Sequence, residues 1–262
     1  MKVRVSSIAV ICISLIIGLM FIEQSIAKID LQTVEGLWLF DDSKNPYKDT
    51  SGKGLDGKQN ANPKLVEGKF GNGVEFDGKS YITIPDHVNP TKAITVTAWA
   101  KSTTATWNQN GWLVEKRDAY ILHPVAGSIN MAFCTVNGGP WNLPKTWDAG
   151  QIGPKDITIW HMYTCTFDST TGKWNIYIDG VVASSLDINK AELAPDKGPV
   201  HIGYDEAEAQ RLGQGTVDEV AIFNVALSAD DVKSLMNGFK LVSAVEPTDK
   251  LVTTWSGIKT QN

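Results

Sequence analysis

Cysteine, histidine and clustered positive charge are scarce in this chain, and each shortage removes a class of chemistry. Three cysteines in 262 residues form no CxxC pair, so no zinc ribbon or dithiol redox motif is encoded. The four histidines, His87, His123, His161 and His201, are scattered and show no HxxxH spacing. A GxSxG elbow and a phosphate loop are both missing. There is no cluster of lysine and arginine, and the formal net charge is −5, so a nucleic-acid partner is not expected. The chain also lacks a sustained internal repeat and a low-complexity linker. Its one long apolar run, residues 8–22, falls short of the roughly 20 residues that span a bilayer.

That run has a different reading. Lys2 and Arg4 precede it, and Ser25-Ile26-Ala27 places small residues at −3 and −1 of a cleavage point. Residues 1–27 are therefore predicted to be a secretory signal, with a membrane anchor as the alternative, and the mature chain to be extracytoplasmic with no membrane span. Loss of Lys2, Arg4 and Glu23 takes the net charge to −6. Residues 28–240 are long enough for one β domain with a substantial core. Residues 241–262, with Pro247 and Thr253-Thr254-Trp255, read as a C-terminal tail. Cys12 leaves with the signal, so Cys134 and Cys165 remain. Export makes a disulfide between them chemically allowed. If their strands are neighbours, the bridge would close a loop of roughly 30 residues and add about 3 kcal/mol. Two buried thiols are the alternative.

What the chain does contain is alternation. Residues 161–167 and 174–178 alternate β-branched and aromatic residues with polar ones, and Asp168-Ser-Thr-Thr-Gly-Lys joins them through Gly172. Asp179-Gly180 turns the chain again into Val181-Val182, so a meander is predicted. Strand-like segments also occupy 36–40, 73–76, 81–84, 94–100, 111–115, 120–123, 128–136, 200–203 and 216–223, separated by Gly-, Asp- and Asn-bearing turns. Many short strands so punctuated indicate a sandwich or barrel. One helix is predicted over 228–237, capped by Ser228, with Asp230 and Asp231 in its first turn and Gly238 at its end.

Several phrases align with one family: Gly36-Leu-Trp-Leu-Phe-Asp, Asp49-Thr-Ser-Gly-Lys-Gly-Leu-Asp-Gly, Gly71-Asn-Gly-Val-Glu-Phe-Asp-Gly with Tyr81-Ile-Thr-Ile-Pro, and Ile94-Thr-Val-Thr-Ala-Trp-Ala. The hairpin above and Gly215-Thr-Val-Asp-Glu-Val-Ala-Ile-Phe-Asn-Val-Ala-Leu-Ser complete the series. In this order they resemble the laminin-G-like jelly-roll domains of the concanavalin A-like lectin/glucanase superfamily, related to pentraxins, over residues 34–238. The resemblance implies an all-β fold: a two-sheet antiparallel jelly-roll sandwich with one short C-terminal helix. Its members include lectins, adhesion modules, carbohydrate-binding modules and some glycosidases, so function must come from sites.

In such a sandwich the first and last strands are expected to pair, bringing Asp41 and Asp42 toward Asp218 and Glu219. Clustered carboxylates repel unless a cation lies among them, which makes Asp41 and Asp218 candidate ligands of a structural Ca²⁺. The alternative is that these acids cap turns; Asp77 reads as a turn residue. Of nine tryptophans, Trp38, Trp99, Trp160 and Trp174 fall in alternating strands and are predicted to be core. Trp107, Trp112, Trp141 and Trp147 lie in irregular segments with Asn108, Gln109, Asn142 and Asp148 nearby. Aromatic faces beside amides suit sugars, so Trp107, Trp112, Trp141, Trp147, Asn108 and Asn142 are the candidate carbohydrate contacts. A satellite core of loop aromatics is the alternative. The paired carboxylates of a glycosidase are not found: Asp205-Glu-Ala-Glu reads as a loop, and adjacent Asp218 and Glu219 would point to opposite faces. The expectation is a secreted, non-enzymatic module recognising carbohydrate or an extracellular or cell-surface component. A structural or adhesion protein with a protein partner, or a glycoside hydrolase-like enzyme, are the alternatives.

Overall fold

A computed structural model describes residues 29–138, 146 and 148–239. The predicted signal, the tail, Trp141, Asn142 and Trp147 lie outside the described residues. The chain enters through a 3-10 turn at Leu31–Thr33 into β1 (Val34–Trp38), followed by β2 (Lys58–Asn60), β3 (Lys64–Glu67), β4 (Asn72–Asp77) and β5 (Tyr81–Ile84). Next come β6 (Ala93–Ser102), β7 (Val114–Lys116), β8 (Tyr120–Pro124) and β9 (Met131–Thr135). The series ends with β10 (His161–Asp168), β11 (Lys173–Ile178), β12 (Val181–Asp187), β13 (Val200–Ile202), β14 (Gln214–Phe223) and helix α1 (Ala229–Ser234). The pairings form two antiparallel sheets. An eight-stranded sheet runs β12-β11-β10-β6-β14-β4-β3, with β1 also against β14, and a six-stranded sheet runs β2-β5-β13-β7-β8-β9. This is the two-layer jelly-roll sandwich that the sequence phrases imply. No helix among the described residues is long and apolar enough to cross a membrane.

Local sequence explains much of this. The β10–β11 hairpin sets Phe167 opposite Trp174 and Cys165 opposite Ile176, all four buried, so one face of the ribbon is apolar throughout. Its turn needs Gly172 at φ +76°. β1 pairs with β14 antiparallel, as expected for first and last strands. Helix α1 begins with a capping box in which Ser228 Oγ accepts from Asp231 N and the Asp231 carboxylate accepts from Ser228 N. β2 and β3, absent from the alternating segments, are three and four residues long and each begins with a lysine; they sit at sheet edges, where charge discourages pairing with a further chain.

The core between the sheets is aromatic. Trp38, Trp107, Trp112, Trp174, Tyr120, Tyr163, Phe133 and Phe167 are all essentially inaccessible. Trp107 packs edge-to-face on Trp112 at 5.7 Å and on Tyr163 at 5.9 Å. This corrects the expectation that Trp107 and Trp112 offer a stacking surface. Their segment is irregular in backbone, yet its rings join the central core itself, where the satellite-core alternative had put them in a separate cluster. Gly213 makes room for them, since a Cβ there would stand 2.2 Å from the Trp112 ring. Asn108 is likewise structural: its Nδ2 donates to Leu212 O at 2.8 Å and its Oδ1 accepts from Gln214 N at 2.9 Å. Of the tryptophans assigned to strands, Trp38, Trp99 and Trp174 are buried, and Trp160 is partly so beneath the Lys101 ammonium.

The disulfide is also corrected. Cys134 and Cys165 are free thiols, both fully buried. Parity separates them. Cys165 projects from the large sheet into the central core, whereas Cys134 alternates with the inward Phe133 and packs with Ile121 and Ala132 on the other side of the small sheet.

Candidate functional site

The carboxylates expected at the β1–β14 end do converge, but on backbone. Asp41 Oδ1 accepts from Asn72 N at 2.8 Å, and Asp218 Oδ2 accepts from Phe70 N at 2.9 Å, so the two acids clasp the β3–β4 turn. Asp42 Oδ1 accepts from Lys44 N, and the Glu219 carboxylate accepts from Phe239 N. A bulge in β14, with Glu219 at φ +44°, breaks the strand parity that would have sent Asp218 and Glu219 to opposite faces. Burial raises the Asp218 carboxyl to about 7, and the neighbouring Asp41 charge adds to this. Calcium would need six to eight oxygens gathered on it. No group of three or more Asp, Glu, His or Cys among the described residues could hold a metal ion. In the structure Asp41 and Asp218 each accept from a backbone N–H of the β3–β4 turn, the turn-capping alternative.

A different polar cluster lies on the outer face of the six-stranded sheet. Alternation along β5, β13, β7, β8 and β9 sends Ile82, Ile202, Val114, Leu122 and Phe133 into the core. The intervening Tyr81, His201, Glu115, His123 and Cys134 face outward. An excursion from β13 covers this face. Tyr204 bridges Leu212 and Gly213 N donates to Gly203 O, so the segment between closes on itself and presents Asp205, Glu206, Glu208 and Arg211. Asp205 is its pin. Fully buried, it accepts from Arg117 Nη1 at 3.0 Å, Arg211 Nη1 at 2.8 Å and Ala207 N at 3.0 Å. Arg211 Nη2 also pairs with Glu208 Oε1. Gly111, at φ +71°, is required where the chain passes Asp205, because a Cβ would come 2.3 Å from its Oδ2.

Between these groups lies a cavity of about 330 Å³ lined by Asn110, Arg117, His123, Val125, Gln151 and Arg211. Asn110 Oδ1 accepts from Ala126 N at 2.9 Å, which orients the amide. His123 is held near pKa 4 by burial and is neutral at physiological pH. On the same face Tyr81 and Tyr204 lie 4.6 Å apart, and His201 meets each ring edge-on at 5.5 and 5.3 Å. None of these residues carries a recognisable motif. Alternation could have shown that Tyr81, Glu115, His123 and His201 share a face, but only through the cross-strand register.

Glu115 is the most perturbed acid in this cluster. It is fully buried, its Oε2 lies 3.0 Å from His201 Nδ1, and its Oε1 has no hydrogen-bond partner among the described residues. Burial pushes it to about 9, with Glu206 and Asp205 adding repulsion, while burial lowers His201. At neutral pH the protonated Glu115 therefore donates to a neutral His201. Because the folded pKa exceeds the unfolded one, the fold binds the proton more tightly. Stability is highest below pH 4.5 with respect to this group and declines as pH rises toward 9. Glu115→Gln removes that penalty and is expected to raise stability at pH 8 by roughly 2–4 kcal/mol, with little gain at pH 4.5. Thermal melts of both proteins across pH 4.5–9 check this; parallel profiles would overturn it.

Comparison with known proteins agrees with the fold. The binding domain of Paraclostridial Mosquitocidal Protein 1 superposes with a TM-score of 0.63 at 15% identity, covering 80% of this chain and 53% of that one. Domain 4 of AbnA, a GH43 extracellular arabinanase from Geobacillus stearothermophilus, in complex with arabinotriose, gives 0.60 at 19% identity, covering 78% and 98%. The binding domain of Botulinum neurotoxin DC in complex with rat synaptotagmin II gives 0.61 at 13% identity, covering 79% and 52%. The chain thus spans about half the length of the toxin domains and nearly all of the arabinanase domain. Two of these structural neighbours are binding domains, and the third is an enzyme domain solved with a bound arabinotriose. No curated protein sequence matches the chain. The sequence profile described as the concanavalin A-like lectin/glucanases superfamily matches residues 76–233. With two stacked antiparallel sheets and that match across more than half its length, the chain belongs to the concanavalin A-like lectin/glucanases superfamily.

Proposed function

We propose that this chain is an exported, non-enzymatic carbohydrate-binding module whose ligand sits on the outer face of the six-stranded sheet. The observation that carries this reading is the donor-rich cavity lined by Asn110, Arg117, His123, Val125, Gln151 and Arg211. Its volume of about 330 Å³ suits a sugar unit, and its mixture of amides, guanidiniums and one apolar wall suits hydroxyls beside a C–H face. Tyr81 and Tyr204, both only half-buried on the same face, add aromatic surface for a neighbouring residue of the glycan. The arabinotriose in the arabinanase neighbour supports sugar as the ligand class.

The chemistry favours binding over turnover. Glycoside hydrolysis needs a protonated acid and an ionised partner on either side of one bond. Glu115 supplies a protonated carboxyl, but it is fully buried and engaged with His201. Asp205 is buried behind the cavity wall, and both its oxygens are engaged by two guanidiniums and a backbone N–H.

Retention on immobilised polysaccharides, with calorimetry on matching oligosaccharides, tests the proposal. Asn110→Ala and Tyr204→Ala are each expected to weaken binding about tenfold, equivalent to about 1.4 kcal/mol, with the melting temperature nearly unchanged. Glycan retention indifferent to both substitutions would move the site off this face.

A further inference from the structure

The cavity walls have a charge opposite to that of the chain. The protein carries a net −5, yet among the described residues two guanidiniums and no carboxylate line this space. Asp205 lies behind the wall, fully buried, with one oxygen toward Arg117 and the other toward Arg211. It fixes both guanidiniums without lining the cavity, so their orientation is set before a ligand arrives. Glu208, the second acid on Arg211, is about half exposed and screened by solvent. The amide of Asn110 has its oxygen committed to Ala126 N, which leaves its two N–H donors as what it can offer. The walls are therefore richer in donors than in acceptors, and they are cationic.

We infer that this cavity selects glycans bearing a carboxylate, such as a uronate or a sialate, over neutral ones. The inference rests on the carbohydrate-binding reading above and refines its ligand class. A carboxylate is an acceptor-only, planar, charged group, the complement of paired guanidiniums and an amide N–H₂. A neutral sugar offers hydroxyls that donate as often as they accept, and it would leave some of these donors poorly matched. Beside two guanidiniums that share Asp205, with Glu208 reaching Arg211 from the solvent side, a ligand carboxylate presents two acceptor oxygens in one plane to the guanidinium edges that line this space.

Calorimetric titration of the full chain with trigalacturonate and with neutral galactotriose, and with sialyllactose and lactose, gives the test. At low salt the acidic member of at least one pair is expected to bind at least tenfold tighter, and the preference should shrink as sodium chloride is raised to 300 mM. The trigalacturonate and sialyllactose arms tell the two sources of carboxylate apart. Asn110→Asp keeps the acceptor used by Ala126 N and adds a negative charge to the wall. It should weaken the acidic ligand at least tenfold while changing the neutral one less than threefold. Arg211→Lys, which keeps the charge but loses the planar fork, should weaken the acidic ligand by a smaller factor with the fold intact. Equal or tighter binding of neutral glycans, still sensitive to Asn110→Ala, would overturn the acidic preference and leave the carbohydrate reading standing. Binding of neither class would overturn both.

Discussion

Trp112→Ala is expected to lower the melting temperature by roughly 10–15 °C, because it would leave a large void at the centre of the molecule. The ring is completely buried, touches Phe76 and Trp107 edge-to-face, and fills the space that Gly213 and Gly215 leave beside it. Truncations of this kind cost about 3–5 kcal/mol, a large share of the 5–15 kcal/mol that holds a typical domain together. Any loss of glycan retention in this variant would therefore follow from unfolding. Circular dichroism melts distinguish the two outcomes: an unchanged melting temperature with binding lost would return Trp112 to the surface.

Asp205→Asn carries the second large effect and joins stability to binding. Asp205 is inaccessible to solvent, while the side chains of Arg117 and Arg211 retain 24% and 20% of their exposure. Loss of the charge leaves two partly buried guanidiniums facing an amide that can satisfy only one of them well. Breaking a buried ion pair from one side costs about 3–5 kcal/mol, so a melting temperature lower by about 8–15 °C is expected. Glycan affinity should fall beyond detection at 25 °C even where the fold survives, since both guanidiniums lose their fixed positions. Glu208→Gln is the control. Its carboxylate is exposed, and its removal should change stability by less than about 0.5 kcal/mol. Equal effects from the two substitutions would show that Asp205 is not the pin of this face.

Both predictions come from features that the linear sequence disguised. The 103–113 segment has the Asn, Gly and Gln content of an exposed loop, and its tryptophans resemble a sugar platform. Their inward position depends on glycines of β14 and its approach, about a hundred residues away in sequence, which leave the volume the rings occupy. The Asp205-Glu-Ala-Glu run was legible as a loop and nothing more, because its partners Arg117 and Arg211 meet it only when the loop folds over β7 and β8. The cysteines illustrate the same limit. Each was assignable to a strand, but the side each faces depends on a register that a shift of one residue would invert. The acids at 41 and 218 met as expected, and what they bind was set by the turn packed between them.

The sequence by itself determined the features that depend on near neighbours: the alternating strands, the glycine turns, the capped helix at Ser228, and through ordered phrases the family of the fold. Those signals are local, since strand period, turn conformation and capping are settled within a few residues. Only the tertiary structure decided which aromatics are core, which thiols are apart, and where a cationic cavity opens on a negatively charged protein. Each of these depends on groups far apart in the chain arriving on one side of one sheet. Cross-strand register and loop packing control that arrival, and no short window of residues contains either.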